Sequence, residues 1–259
     1  MVRTRFLSVC SFVFLILLMF PERSIGFWEF PPALPPAEHG NIIINRISEK
    51  NGVEPVTFSH WIHRLKYTCR VCHFELEFNF QVNTTEITEA ANKAGRYCGT
   101  SGCHDGKTVF GHDNKKNCNK CHNDDRSYGS DRYAELSAFP KARFGNLVDW
   151  GQALDKGLIK PQHYLTIKPR SDAGFGKVLL LEAEWQGIPA AVFSHKLHTE
   201  WLDCNNCHPD IFNIKKKTTK HFSMNRILKS EFCGVCHLNV AFPMNDCKRC
   251  HPDHPNLKE

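Results

Sequence analysis

The sequence predicts few regular elements, mainly short helices and loops, arranged as two tandem modules whose cores are not built from side chains. Three observations predict this. C-x-x-C-H occurs at Cys69–His73, Cys118–His122, Cys204–His208, Cys233–His237 and Cys247–His251, and a longer variant, "CGTSGCH", runs from Cys98 to His104. The stretch "FSHWIHRLKYTCRVCH", from Phe58 to His73, returns 135 positions later as "FSHKLHTEWLDCNNCH", from Phe193 to His208. Each repeat has about seventy residues for three such motifs, too few to bury a conventional hydrophobic core.

Twelve of the 13 cysteines fall in these six pairs, each followed directly by histidine. Paired cysteines serve zinc knuckles, thiol redox pairs, iron–sulfur ligation, disulfides or covalent haem attachment. The trailing histidine separates them. With 15 histidines in 259 residues, six such hits arise by chance on the order of once in twenty million. Zinc sites place histidine a dozen or more residues away. In c-type haem attachment the adjacency has a cause: the two thiols add to the porphyrin vinyl groups, and the next residue is carried under the ring to bind the iron.

Six covalently bound haem c groups are therefore expected. Their attachment cysteines are Cys69, Cys72, Cys98, Cys103, Cys118, Cys121, Cys204, Cys207, Cys233, Cys236, Cys247 and Cys250, and their proximal ligands His73, His104, His122, His208, His237 and His251. The two extra residues of the Cys98 motif can bulge as a loop without moving Cys103 relative to His104.

A haem that only transfers electrons is six-coordinate, so each proximal histidine needs a distal partner. His60, His63, His195 and His198 form two F-S-H-x-x-H units, and a spacing of three puts both imidazoles on one helix face about a turn apart. One short helix can thus serve two haems. His221 and His112 complete six distal candidates. His39, in a Pro-rich stretch, and His254, after the last motif, are expected to face solvent, and His163 to be structural or exposed.

The formal charge of +6 does not identify a partner, because the propionates of six haems would add about twelve negative charges. Lys215, Lys216, Lys217 and Lys220 either balance propionates or form a solvated face. No basic patch interleaved with aromatics points to nucleic acid.

Arg3 and Arg5 precede a 15-residue apolar run, Phe6 to Phe20, which suits a signal h-region and is short for a span of about twenty residues. A clean cleavage site is absent, so residues 1–26 read as a signal peptide or an uncleaved anchor. Cys10, inside that run, reads as a bystander. Export suits haem c chemistry.

Residues 27–51 read as a Pro-rich leader, 52–125 as the first three-haem module, 126–186 as a haem-free connecting segment and 187–255 as the second module. "NGVEPVTFSH" and "QGIPAAVFSH" each read as a turn, a short extended stretch and a helix start near Ser59 or Ser194, with a small hairpin at each place. In the connecting segment "LVDWGQALDKG" is expected as a helix closed by Gly157 and "KVLLLEAEW" as a strand. Its aromatics suggest that it packs over or spaces the modules.

These motifs, with "YCG…CHDGKTVF", "VDW" at Val148–Trp150 and "FCGVCHLNVAFP", resemble the cytochrome c7 and c3 type multihaem proteins of metal- and sulfate-reducing bacteria, specifically two-module, six-haem members. The resemblance covers roughly Gly52 to Pro255. It implies tandem cytochrome c7/c3-like modules with haem-filled cores, mostly bis-histidine ligation, low potentials, and a place in the periplasm or outside the cell. It also implies pairings: His195 with His208, His198 with His237, His221 with His251, His60 with His73 and His63 with His104.

The first module lacks a positional match for His221, and His112 is the substitute opposite His122. Related chains carry methionine in an "I-T-M" segment, where this sequence has Glu89 in the first module and Met224 in the second, so Met224 competes with His221. The function expected is electron transfer in anaerobic respiration, not catalysis. Its partners would be redox proteins in the periplasm or at the membrane, a quinone-oxidising membrane complex, or an extracellular metal acceptor. A multihaem reductase, or a structural subunit of a haem filament or membrane complex, is the alternative.

Overall fold

The computed structural model describes residues 30–169, 175–182, 188–214 and 221–253. The leader expected at 1–26, Cys10, the lysines at 215–217 and 220, and His254 lie outside the described residues. Among the described residues, no helix is long and apolar enough to cross a membrane.

Regular structure is sparse, as expected. Strand β1 (Asn41–Ile44) pairs antiparallel with β2 (Val56–Ser59), setting Ile42 opposite Phe58 and Ile44 opposite Val56. Strand β3 (Val178–Leu181) pairs in the same way with β4 (Ala191–Ser194), setting Leu179 opposite Phe193. Each hairpin runs directly into a helix bearing two histidines: α1 (His60–Arg64) after Ser59 and α4 (His195–Thr199) after Ser194. The β-branched runs of β1 and β2 favour those strands. The two serines, both extended with φ −100°, stop the strand and hold the N-cap position.

Both hairpins draw their first strand from outside the sequence repeat. Strand β1 lies in the stretch expected as a leader, and β3 in the stretch expected as a connector. Val178–Leu181 of "KVLLLEAEW" therefore do form a strand, paired within the second hairpin.

The connecting segment packs on α1. Trp61, Leu136 and Val148 are buried together, with Ile62, Leu65, Tyr133, Phe139 and Trp150 packed against them. Trp61, Ile62 and Leu65 of the first module thus meet five connector residues in a small side-chain cluster, most of which the connector supplies. Helix α3 (Trp150–Asp155) is capped by the Asp149 carboxylate, which accepts from the Gln152 amide, and the chain leaves it through Gly157 at φ +65°. A left-handed residue there is the usual way to end a helix. The remaining α-helices among the described residues are short, little more than single turns: α2 (Glu89–Lys93), α5 (Met224–Ile227), α6 (Gly234–His237) and α7 (Cys247–Cys250).

Candidate haem sites

The two F-S-H-x-x-H units have the same geometry. Phe58 lies edge-on to His60 at 4.8 Å and stacks on His63 at 4.4 Å; Phe193 does the same to His195 at 4.9 Å and His198 at 4.3 Å. One phenyl ring therefore orients two imidazoles. His60 Nδ1 donates to Gly40 O and His195 Nδ1 to Lys177 O, each at 2.8 Å. Gly40 and Lys177 each immediately precede the first strand of a hairpin, which explains why strands outside the repeat belong to the site. His63 and His198 donate to the carbonyls of Ser59 and Ser194, also at 2.8 Å.

The six motif histidines are anchored likewise. His73, His104, His208 and His237 donate Nδ1 to the carbonyls of Phe78, Phe110, Phe212 and Phe242 at 2.8, 3.0, 2.7 and 3.1 Å. His122 and His251 donate to Glu54 O and Pro189 O at 2.7 Å, equivalent positions in the two hairpin loops. A carbonyl only accepts, so Nδ1 carries the proton in all ten rings and Nε2 keeps its lone pair. Burial drives six of these imidazoles toward the neutral form: His60 down to about 3, His63 and His237 to about 4, and His73, His104 and His198 in the same direction. A neutral imidazole with its other nitrogen held is the form that binds a metal.

Three pairs of these rings lie near one another at a telling distance. Ring centroids are 6.4 Å apart for His60 and His73, 6.2 Å for His63 and His104, and 6.2 Å for His198 and His237. Metal–nitrogen bonds of about 2.0–2.1 Å, added to about 1.1 Å from nitrogen to ring centre, put two rings on opposite sides of one metal about 6.3 Å apart. The donor set fits an axially ligated iron. Among the described residues no group of three His, Cys, Asp or Glu donors converges on one point.

The twelve motif cysteines form no disulfides. Burial pushes the thiols of Cys72, Cys98, Cys233 and Cys236 up to about 12, as an apolar setting does. In four of the regular motifs the histidine amide donates to the first cysteine's carbonyl, as in His122 N to Cys118 O at 2.8 Å. The longer motif keeps this bond across its bulge: His104 N reaches Cys98 O at 2.9 Å. The extra residues turn through Gly102 at φ +85°.

Glycine follows the first cysteine of both second motifs for a steric reason. A Cβ on Gly99 would lie 1.9 Å from Asn92 O, and one on Gly234 1.8 Å from Ile227 O. Helices α2 and α5 thus press their carbonyls onto the attachment motif. Their first residues are Glu89 and Met224, the two equivalent positions.

The other candidates are placed differently. His112 is half-buried, within electrostatic reach of His104 and Glu89. His221 is exposed at φ +58°. Among the described residues no ring contact joins His112 to His122, His221 to His251 or His195 to His208. The expectation that His39 faces solvent is corrected: it is buried, and its Nε2 hydrogen-bonds Ala241 O at 2.8 Å while Asn146 holds its own carbonyl. The proline-rich stretch is pinned to the body, so its histidine goes in with it. His163 is partly buried, and its carbonyl accepts from Arg70.

Residues 56–123 and 191–252, together half of the chain, match the family described as cytochrome c7 and related cytochrome c. The chain belongs to that family. Membership brings several covalent haem c sites, for which the six motifs supply the cysteines. Similar solved structures include the C-terminal hexaheme fragment of GSU1996, at 23% identity over 86% of this chain and 99% of that one, with a TM-score of 0.27. The dodecaheme cytochrome c GSU1996 matches at 22% identity over 85% of this chain and 75% of that one, TM-score 0.28. The N-terminal hexaheme fragment matches at 23% over 83% and 99%, TM-score 0.26. No curated protein sequence matches the chain significantly.

Beyond what the sequence motifs suggested, the sites depend on Gly40 and Lys177, on Phe58 and Phe193, and on Gly99 and Gly234. The phenylalanines and glycines recur at matching places in the two repeats and were visible as such. The carbonyl of Gly40 carries no sequence signal, since any residue offers one.

Proposed function

We propose that this cytochrome is a six-haem electron carrier that passes electrons between membrane or periplasmic donors and terminal acceptors in anaerobic respiration. The observation that carries this is the set of three imidazole pairs at 6.2–6.4 Å, each joining one F-S-H-x-x-H residue to one attachment motif. A haem iron held between two such imidazoles would take both its protein ligands from the chain and offer no open place to a substrate, which suits a carrier.

Bound haem c would supply a one-electron redox centre. The chain's part is to hold it by the twelve motif cysteines and to present imidazoles in the neutral, Nδ1-anchored form. His73, His104, His122, His208, His237 and His251 serve as proximal ligands. His60 partners His73, His63 partners His104, His195 partners His208, and His198 partners His237. His112 is assigned opposite His122, and His221, with Met224 as its competitor, opposite His251. Placement in the periplasm or outside the cell, anchored or free, follows from the attachment chemistry. Redox proteins, a quinone-oxidising complex or an extracellular metal acceptor are the partners.

The test is the oxidised protein's EPR spectrum together with its response to carbon monoxide when reduced. Only low-spin signals and no carbon monoxide adduct are expected. A high-spin site that binds carbon monoxide would contradict the carrier reading and favour a reductase.

A further inference from the structure

We infer that Arg70 is a positioning residue that joins the two modules into one redox unit, by setting the attachment site at Cys69–His73 against the one at Cys204–His208. This rests on the electron-carrier reading above. Arg70 lies between the two cysteines of the first motif and is only 1% exposed. Its Nε donates to Asp203 Oδ2 at 3.1 Å, Nη1 to Glu75 Oε1 at 2.6 Å and to His163 O at 3.2 Å, and Nη2 to Ile167 O at 2.9 Å. Its backbone amide donates to Trp201 O at 2.9 Å.

The second module answers in kind. Asp203 directly precedes Cys204 and caps the turn Cys204–Asn206. Asn206, between Cys204 and Cys207, donates its side-chain amide to His73 O at 3.0 Å. The residues between the cysteines of each motif thus grip the other motif. Glu75 also accepts the backbone amides of Leu165, Thr166 and Ile167, so the connecting segment closes over the junction.

The His60 side of the same site also meets the second module. Arg64 Nη2 donates to Val240 O at 3.2 Å, and His39 bonds Ala241 O. The third motif of the first module is tied instead to its own hairpin, with Thr57 N on Cys121 O and His122 on Glu54 O, and Cys118 is exposed. The site at Cys69–His73 is therefore embedded between the modules.

A buried ion pair adds little stability over packed apolar groups, but its geometry is demanding. Where a transfer rate falls steeply with separation, a fixed junction is what that geometry provides. The exchange moves one electron and neither forms nor breaks a bond. The site giving it up is oxidised and the site taking it is reduced.

The experiment compares full-length mature protein with Arg70→Gln and Asp203→Asn by NMR of the haem methyl resonances in partly reduced samples. In the unmutated protein, signals of both modules should move together as electrons are added, with fast exchange throughout. In the variants, haem content should be unchanged while the signals separate into two sets that titrate independently. Asp203→Asn leaves three of the Arg70 side-chain bonds in place, so it carries the test if Arg70→Gln fails to mature. A variant that melts earlier yet keeps a single exchanging set would overturn the role of Arg70 and leave the carrier reading intact. Unmutated protein whose sites do not exchange electrons at all would overturn both.

Discussion

The imidazole planes of His60 and His73 are within 6° of parallel, with their centroids 6.4 Å apart. The other two opposed pairs are strongly rotated, by 51° for His63 and His104 and 64° for His198 and His237. Parallel axial imidazoles split the iron d orbitals most, and crossed ones leave them nearly degenerate. The oxidised protein should therefore give one well-resolved rhombic low-spin EPR signal from the first site, beside broad, highly anisotropic signals from the other two pairs. His60→Ala should remove the rhombic signal and leave the broad ones.

Phe58 touches both histidines of its unit, edge-on to one and stacked on the other. Truncating it frees two ligands at once. Phe58→Ala should lower stability by about 3 kcal/mol and produce a high-spin fraction at two sites together, seen as paired changes in the EPR and visible spectra. Change at one site alone would mean that the phenyl ring holds only one imidazole.

Gly99 and Gly234 leave no room for a side chain, since the nearest carbonyl oxygens lie 1.9 and 1.8 Å from a built Cβ. Alanine at either place must push α2 or α5 off the attachment motif. The cost should be about 3 kcal/mol or more, measured as a lower melting temperature and a reduced yield of mature protein. Gly52, with open space around the same position, serves as the comparison and should mature normally as alanine despite its left-handed φ.

Much of this was legible in the sequence because the chemistry needs particular residues at fixed spacing. Cys-x-x-Cys-His and His-x-x-His leave little freedom, and the hairpins before Ser59 and Ser194 followed from turn and β-branched signals. The family and its sparse, short-helix fold were readable for the same reason. What was not legible depends on contacts far apart in the chain. His39 goes inside because Ala241 offers it a carbonyl, and Arg70 is buried because Glu75, Asp203 and the connecting segment surround it. Local pattern carries no signal for either. Residues 27–51 looked like a leader because prolines dominate their start, yet Gly40 and β1 complete the setting of His60.

Asp149 links the connecting segment to the last attachment motif: it caps α3 and meets Arg249 at 3.1 Å. Burial alone would raise its carboxyl, but the Gln152 amide and the Arg249 guanidinium outweigh that and hold it below its ordinary value of 3.8. A lowered carboxylate stabilises the fold above its unfolded pKa and loses that contribution as pH falls through the folded one. Asp149→Asn should cost about 1 kcal/mol near neutral pH, discounted for partial exposure. The gap in melting temperature between the two proteins should hold down to about pH 5 and close below pH 3.8. A gap independent of pH would mean that the charge is not what matters.

The most direct test of the account is the mass of the mature protein made with a c-type maturation system. It should exceed the mature polypeptide by six haems, about 616 Da each, and the attached peptides should map to all six cysteine pairs. Five haems with Cys98 and Cys103 unmodified would remove the longer motif from the set. A colourless protein at polypeptide mass, with zinc bound through its cysteines, would contradict the account outright.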